Sequence, residues 1–492
     1  MKNIFSWSAG VLALGLSLAG CKDALQIEPQ QSINADDAYN TSQKVSAAVV
    51  GAYARLDDPR LYGTDLILVP ELMASNGYIS WAGTFQNYRQ ISLHTQISTL
   101  SNSQGIWTQA YNAINQCNLI LNALPAVTDA GQRKQFEGEA HYIRGIMYFE
   151  LVRLFAQQYQ AGGGNTQPGV PINIVPITTT EQADVKLPRA SVEEVYTQIL
   201  TDLRTASTML PTQNVTRASK YSAEAMLARV YLQQGNYTAA RDMANDVITN
   251  SGASLVGSVA AVFANRNSAE SLFEIQQNDQ NNAGTSNDGL ATYFAGYSPN
   301  GDQTVLYGRG DVFISGAFAN QYGYGSGDVR GTDSLSAITT KKLIYLSDGN
   351  SRRNRLRTLK WRTYGQNIPI VRLAEMYLIR AEADVRAGNT TSATADVNAV
   401  RTRSGATALA TVTLDDVLRE RQLELAFEGF RIHDLHRVNG IVIPAVAAKP
   451  ATADSPAVPA SPAVYASDQR FVLPIPQREI NNNSLLTQNA GY

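Results

Sequence analysis

The sequence has little charge and almost no cysteine. Lysine and arginine number 40 and aspartate and glutamate 42, so charged residues make up 17 % of the 492 residues, against about 25 % in an average soluble domain. Because there is no basic excess, a nucleic-acid coat protein and a polybasic membrane binder are excluded as function classes. Only Cys21 and Cys117 are present, so a metal site built from several cysteines is excluded as well.

Neutral polar residues are abundant where charged residues are few: asparagine and glutamine together number 65. Hydrophobic residues make up 44 % of the chain, which is enough to build a large core and excludes wholesale disorder. The length alone suggests roughly two to four domains or one large helical assembly. The composition therefore indicates a folded protein whose surface is suited to neutral hydrogen bonding.

Long hydrophobic runs are also scarce, and the one near the N-terminus is short. Val11–Ala19 follows Lys2 and ends at Leu18-Ala19-Gly20-Cys21; it is too short to span a bilayer as a helix. A small residue directly before a cysteine is typical of a lipoprotein signal, so we predict a signal peptide over residues 1–20 and a lipid on Cys21. A plain secretory signal with a chance cysteine is the alternative. Cys117 lies on an apolar helical stripe, where its default role is a small core residue.

Helical periodicity dominates the rest of the chain, which predicts a mainly α fold. Ser191-Val192-Glu193-Glu194 has the pattern of a capping box that opens a helix. Ala223–Ile248 reads as two antiparallel helices broken at Gly235-Asn236, and Val371–Val400 repeats the pattern with a break at Gly388-Asn389. These helix pairs have the small-residue packing of tetratricopeptide units. The breaks are 153 residues apart (388 − 235), so we predict dispersed pairs and no continuous solenoid.

Two long stretches lack a helical period. Gln276–Gly331 is rich in Gly, Asn, Asp and Tyr, and Leu61–Gln104 is the second stretch. Irregular stretches of this length in a compact protein are usually functional or disordered, and the many aromatics argue against disorder. Ala445–Ser467 is rich in Pro and Ala, which is typical of an exposed, extended loop.

Several sequence blocks, in this order, are similar to those of the SusD/RagB family of outer-membrane nutrient-binding lipoproteins of Bacteroidetes. After the lipoprotein signal they are Trp107–Tyr111, Glu139–Arg144, Pro188–Val192, Ala223–Ala240, Arg372–Glu382, Arg419–Arg431, Leu473–Ile480 and Gln488–Tyr492. Each block alone is weak evidence for the family. Together, and in this order, the blocks support the resemblance over nearly the whole chain. The Pro/Ala-rich loop is the main departure from the family pattern.

The resemblance implies a single SusD-like domain over residues 21–492, mainly α-helical. Its helical scaffold would comprise about 36–60, 104–250, 370–440 and the C-terminal segment, and its irregular ligand-binding face about 61–103 and 251–369, with the Pro/Ala-rich loop at 445–467. It also implies a non-catalytic, surface-exposed outer-membrane lipoprotein. Such a protein would bind an oligosaccharide and deliver it to a SusC-like TonB-dependent transporter, with no cofactor and no nucleic-acid partner.

Sugar recognition needs aromatic faces to stack on sugar rings and planar polar groups to pair with hydroxyls. The two irregular stretches supply both, and family members tend to use these regions for sugar stacking. The candidate ligand-binding residues are Asn76, Tyr78, Trp81, Tyr293, Phe294, Tyr297 and Asp302. Trp81 is the leading candidate, and we expect Trp81→Ala to weaken glycan affinity with little effect on the melting temperature. The alternative for Trp81 is a structural residue buried under the loop.

Three other patterns have competing interpretations. His433 and His436 are spaced for a metal but lie inside a scaffold block, so no metal site is expected there. The basic run 352–362 could bind an anionic ligand. The simpler interpretation is a solvated face or a strand whose basic residues form salt bridges. Binding of a structural Ca²⁺ by the loops is kept as a minor alternative.

Two further functions remain as alternatives to glycan capture. A surface glycoside hydrolase would need two carboxylates about 5–10 Å apart, and no motif here fixes such a pair. A periplasmic scaffold would use the tetratricopeptide-like pairs for protein contacts alone.

Overall fold

The computed structural model describes residues 38–296, 308–323, 326–332, 342–347, 355–450 and 457–492. Helices predominate in this part of the chain, as the periodicity predicts. They are α1 (Ser42–Leu56), α2 (Asp65–Met73), α3 (Gln86–Ser92), α4 (Ser101–Ala123), α5 (Ala130–Phe155), α6 (Thr180–Ala183), α7 (Val192–Met209), α8 (Lys220–Gln233), α9 (Tyr237–Asn250), α10 (Val259–Ala264), α11 (Leu290–Phe294), α12 (Gly316–Ala319), α13 (Leu373–Arg386), α14 (Thr390–Arg403), α15 (Leu414–Glu424), α16 (Arg431–Arg437) and α17 (Gln477–Asn482).

Helix α5 lies at the centre of the scaffold, between α4 and α7. It begins at Asp129, whose carboxylate accepts a hydrogen bond from the N–H of Gln132 at 2.7 Å. Its C-terminal part, from Gly138 to Phe155, is almost entirely buried. The charged residues buried there, such as Glu139, Arg144 and Glu150, are hydrogen-bonded to neighbouring side chains. Helix α7 opens with the capping box at Ser191 and Glu194, so that prediction is confirmed.

Both predicted helix pairs form, and each breaks where the sequence indicates. Helices α8 and α9 are separated by Gly235, and α13 and α14 by Gly388. Both glycines have positive φ, 71° and 84°, a conformation that residues with a Cβ rarely adopt. Although the pairs are far apart in sequence, α9 packs directly against α13. The four helices therefore form one continuous layer in space.

The strands of the described residues form three small antiparallel sheets. One has the strand order β1 (Ile79–Trp81), β3 (Val312–Ile314), β5 (Arg355–Thr358), β4 (Ile344–Ser347). The second pairs β2 (Ser271–Ile275) with β6 (Ile368–Arg372), and the third pairs β7 (Ile441–Ile443) with β8 (Val464–Tyr465). The β7–β8 ribbon continues into the Pro/Ala-rich loop through bridges at Val446–Ser461 and Lys449–Val458.

The stretch 61–104, which shows no helical period, contains helices α2 and α3 and strand β1. The expectation of an irregular loop is wrong for α2, because every residue from Asp65 to Met73 is buried. A helix buried on all sides has no polar face, so its sequence carries no amphipathic period.

A buried ionic network joins the strand-rich part to the helical layer. The guanidinium of Arg372, at the end of β6, lies 2.8 Å from Glu270, 2.7 Å from Glu424 and 2.9 Å from Glu428. Arg330 pairs with Glu420 and Glu424 of α15 at 2.5 and 2.9 Å. Buried charges are tolerated in this way only when they are paired and hydrogen-bonded.

The C-terminal segment runs across the end of α5. The N–H of Leu473 donates to the carbonyl of Leu154 at 2.8 Å, and Asn489 Nδ2 donates to the carbonyl of Phe155 at 2.9 Å. Arg189 reaches Asn489 Oδ1 at 2.9 Å. The bonds from Leu473 and Asn489 satisfy carbonyls that the last turn of a helix leaves without an intrahelical partner.

Cys117 is a buried free thiol on α4, which agrees with its predicted role as a core residue. Burial raises its pKa to about 12. No helix among the described residues has the length and apolar character needed to cross a membrane. The predicted signal peptide and Cys21 lie outside the described residues.

Candidate functional site

Strands β1 and β3 bring the two irregular stretches of the sequence together. Their register places Ile79 opposite Ile314 and Trp81 opposite Val312. Just beyond β1, the N–H of Ala82 donates to the carbonyl of Asp311 at 2.7 Å. Side chains from both stretches therefore meet at the end of this two-stranded contact.

Four aromatic side chains pack together there and form what we call the aromatic cluster: Trp81, Phe85, Tyr88 and Tyr293. The ring centre of Trp81 lies 4.8 Å from that of Tyr88 and 5.5 Å from that of Tyr293. Phe85 lies 6.4 Å from Tyr88 and 6.5 Å from Tyr293, in edge-to-face geometry. Such tilted and edge-to-face pairs are the favoured arrangements of aromatic rings.

Phe85 is the exposed member of the aromatic cluster. It is 43 % exposed, whereas Trp81 is 8 % exposed and Tyr88 and Tyr293 are almost fully buried. The Arg309 guanidinium carbon lies 4.8 Å from the ring centre of Phe85 and 5.1 Å from that of Tyr293. Arg309 Nε also donates to Asp311 Oδ2 at 3.0 Å. The cluster therefore presents one partly exposed aromatic ring at the surface, with a guanidinium over it.

Charged residues hold the inner side of the aromatic cluster in place. Arg60 lies between two carboxylates, with Nη1 3.1 Å from Asp65 and Nη2 2.9 Å from Asp288. The hydroxyl of Tyr88 donates to Asp65 at 2.8 Å, and that of Tyr293 donates to Asp288. Burial raises the pKa of Asp65 to about 6, while the Arg60 guanidinium and the hydrogen bonds oppose that rise. The two tyrosine hydroxyls thus fix the rings against which Phe85 rests.

The described candidate residues occupy different environments. Trp81 and Tyr293 belong to the aromatic cluster, but both are buried, and within the described part of the chain the Nε1–H of Trp81 finds no hydrogen-bond acceptor. Tyr78 is 3 % exposed; its ring stacks on Phe427 at 5.4 Å, and its hydroxyl accepts from the N–H of Phe427. Phe294 is also buried.

The buried rings of Tyr78 and Phe294 are core surfaces in this conformation, with no free face for a sugar. Asn76 is exposed, in the turn that precedes β1. Tyr297 and Asp302 lie outside the described residues.

Phe85 and Arg309 are the site residues that the sequence reasoning missed. The only local signal was an aromatic residue in a polar surrounding, Gly-Thr-Phe-Gln-Asn, a few residues after Trp81. No local pattern indicated Arg309, because it lies 224 positions (309 − 85) after Phe85 in the sequence. Only the pairing of β1 with β3 brings the two side chains together.

The described part of the basic run 352–362 is divided, because Arg357 and Lys360 are buried whereas Arg355 is exposed. Lys360 Nζ lies 2.5 Å from Glu428 and donates to the carbonyls of Glu424 and Ala426. Arg357 is 2 % exposed and donates to the carbonyl of Val312. These contacts agree with the interpretation as a salt-bridged strand and give no support to an anion site at these two residues.

His433 and His436 are buried, with ring centres 6.3 Å apart. Burial lowers the pKa of both, that of His436 to about 3. No group of three or more His, Cys, Asp or Glu side chains within the described ranges could hold a metal ion.

Comparison with known proteins identifies related chains. A family model described as "SusD family" matches residues 236–492, and one described as "Starch-binding associating with outer membrane" matches residues 25–232. "SusD-like protein P2" of Formosa agariphila is 26 % identical and aligns over 98 % of both chains. "Starch-binding protein SusD" of Bacteroides thetaiotaomicron is 32 % identical over 33 % of this chain and 26 % of its own.

Solved structures share the fold. A putative sugar binding protein from Bacteroides vulgatus superposes with a TM-score of 0.77 at 24 % identity, covering 92 % of this chain and 99 % of its own. The mainly α architecture with dispersed tetratricopeptide-like pairs predicted from the sequence is thereby confirmed.

Proposed function

Because this chain belongs to the SusD family, we propose that it is a non-catalytic lipoprotein of the outer membrane that binds a neutral oligosaccharide. The observation that carries the proposal is the exposed ring of Phe85 beside the Arg309 guanidinium, on a rigid aromatic base. An aromatic face can stack on the C–H face of a sugar, and a guanidinium can donate to its hydroxyls.

The charges around the aromatic cluster favour an uncharged ligand. Arg60 is paired with Asp65 and Asp288, and Arg309 is paired with Asp311. Since each guanidinium here is already balanced by carboxylates, none is left as a dedicated partner for an anionic group. This local balance agrees with the low charge of the whole chain.

The same pairing supports binding over hydrolysis. A glycoside hydrolase needs one carboxyl group to protonate the leaving oxygen and a second to act as nucleophile or base. Asp65 is fully buried and engaged by Arg60, Tyr88 and Asn102, and Asp311 is 1 % exposed and paired with Arg309. These carboxylates are held in structural contacts, so we propose no catalytic residue.

We also propose delivery of the bound glycan to a SusC-like TonB-dependent transporter. Support comes from membership of the SusD family and from the family description "Starch-binding associating with outer membrane". Anchoring would be through a lipid on Cys21, with the protein exposed at the cell surface.

The central test is calorimetry with maltoheptaose, cellohexaose, xylohexaose and mannohexaose, on wild type and Phe85→Ala. We expect saturable binding of at least one neutral oligosaccharide by wild type and weaker binding by the variant. Release of shorter sugars would overturn the non-catalytic assignment, and absence of binding to any neutral glycan would overturn the ligand class. Protease treatment of intact cells tests the location: a surface protein is cleaved, whereas a periplasmic scaffold is protected.

A further inference from the structure

A groove separate from the aromatic cluster crosses the scaffold between α1 and β2. We call it the lateral groove, lined by Val50, Tyr53, Arg217, Phe273, Glu274 and Asn281. Its central cavity, of about 380 Å³, shares Arg217, Phe273 and Glu274 with a second cavity of about 240 Å³. It shares Asp57 and Asn281 with a third of about 450 Å³. Cavities of about 300–1,000 Å³ are typical of ligand sites.

Aromatic side chains form the floor of the lateral groove. The ring centres of Tyr53 and Phe273 lie 6.2 Å apart, and the planes are tilted by 50°. Tyr142 packs edge-on against Phe273 at 5.1 Å and supports it from the core. Val50 is 55 % exposed at the rim. The lateral groove therefore has an apolar floor, and it is open to solvent along the rim at Val50.

A buried carboxylate, that of Glu274, borders the same groove. Glu274 is 4 % exposed, and its Oε2 accepts hydrogen bonds from the N–H of Asn267 and from Nδ2 of Asn367, both at 2.8 Å. Its Oε1 is buried, and no hydrogen-bond partner for it lies among the residues that the structure describes. A buried acceptor left unpaired has lost its bonds to water without a replacement, which is unfavourable. Because Oε1 is closed off from solvent, a ligand hydroxyl reaches it only when the Glu274 side chain turns toward the cavity.

Other polar groups of the groove are neutral or already paired. The hydroxyl of Tyr53 accepts from the N–H of Ala218 at 3.1 Å. The exposed side chain of Asn281 carries an amide donor and acceptor at the rim. Arg217 pairs with Glu139 at 3.1 Å. The groove thus combines an apolar floor with hydroxyl, amide and carboxylate groups.

We propose that the lateral groove is a second contact region for a neutral oligosaccharide. The proposal rests on the proposed function, because it assumes that this protein binds such a ligand. An apolar floor flanked by hydrogen-bonding groups suits a sugar ring, which has an apolar C–H face and a hydroxyl-bearing edge. None of the residues of the aromatic cluster lines the groove, so the two regions can be disabled separately.

The test fills the groove at its exposed rim and leaves the core intact. Val50→Trp places a large side chain over the floor, and Val175→Trp, at a position 62 % exposed outside the groove, is the matched control. The probe is whichever of the four oligosaccharides named above binds wild type most tightly. We expect Val50→Trp to weaken binding about three- to tenfold, the scale of one or two lost hydrogen bonds, and Val175→Trp to leave it unchanged.

Hydrogen exchange supplies an independent readout. At saturating probe concentration, we expect slower amide exchange in 212–217 and 273–281 of wild type but not of Val50→Trp.

If Phe85→Ala weakens binding while Val50→Trp does not, and exchange in these segments is unaffected, the lateral groove is not a glycan contact and the proposed function survives. If no neutral oligosaccharide binds wild type, both proposals fall. If exchange slows only when a transporter is added, the groove is a protein contact and this proposal is overturned.

Discussion

The Arg309 guanidinium carbon lies 4.8 Å from the ring centre of Phe85, so a cation and an exposed aromatic face from the two irregular stretches form one surface. This contact leads to the first prediction. Phe85→Ala should weaken binding of the oligosaccharide by about 1–3 kcal/mol, in the range of a residue that dominates a small interface. The melting temperature should change little, because the ring is 43 % exposed. Calorimetry and thermal unfolding check both parts.

The matched control for Phe85→Ala is Leu93→Ala, an apolar residue of the same stretch that is 62 % exposed. It should alter neither affinity nor stability. Equal affinity of wild type and Phe85→Ala would remove the aromatic cluster from the binding surface.

Trp81→Ala should act first on stability, which revises the expectation drawn from the sequence. Trp81 is 8 % exposed and packs on Tyr88 and Tyr293. Removing a buried tryptophan side chain leaves a cavity and lowers the free energy of unfolding by about 3–5 kcal/mol. Urea unfolding measures this loss, and Trp81→Phe should recover a large part of it. A loss below about 1 kcal/mol would show that the indole is not part of the core.

Arg372→Met tests the buried ionic network. The substitution leaves Glu270, Glu424 and Glu428 without their shared guanidinium, and breaking a buried network in this way costs about 3–5 kcal/mol of unfolding free energy. Arg470→Met is the control, because its pair with Asp468 is exposed and such pairs contribute about 0–1 kcal/mol. Similar losses for the two variants, measured by urea unfolding, would contradict the assigned role of the network.

Asp57→Asn tests the titration of a buried carboxyl group. Burial raises the pKa of Asp57 to about 6, although Gln277 Nε2 donates to it at 2.5 Å. Since the pKa is higher in the folded state, wild type loses stability as the pH rises from about 4 through about 6. The asparagine variant, which stays neutral, escapes this loss. The variant should therefore gain stability relative to wild type between pH 4 and pH 7, by at most about 3 kcal/mol.

Urea unfolding at intervals from pH 4 to pH 8 measures that difference. A difference in unfolding free energy that does not change with pH would show that Asp57 titrates alike in the folded and unfolded chain.

The helical scaffold could be predicted from the sequence because its signals are local. Each signal determines the structure of residues close to it in the sequence. The signals are the periodic apolar residues, the cap formed by Ser191 and Glu194, and the glycines at 235 and 388. Helix α2 could not be predicted in this way, since burial on all sides removes the polar half of the pattern.

The candidate site depends on contacts that local sequence cannot encode. The burial of Trp81 depends on Tyr293, and the environment of Phe85 depends on Arg309. Strand β1 spans only three residues, so no alternation was visible that would have indicated its pairing with β3. The sequence could therefore indicate which stretches carry the site, but not which ring faces solvent.

The bonds between the C-terminal segment and the end of α5 bear on how a newly made chain folds. Asn489 donates to the carbonyl of Phe155 across 334 positions, and Leu473 donates to that of Leu154. Contacts between such distant residues close slowly, because a long loop must be ordered before they form. A nascent chain on the ribosome lacks these partners until the segment 473–489 has been made, so the carbonyls at the end of the central helix stay open to water until that segment packs against them.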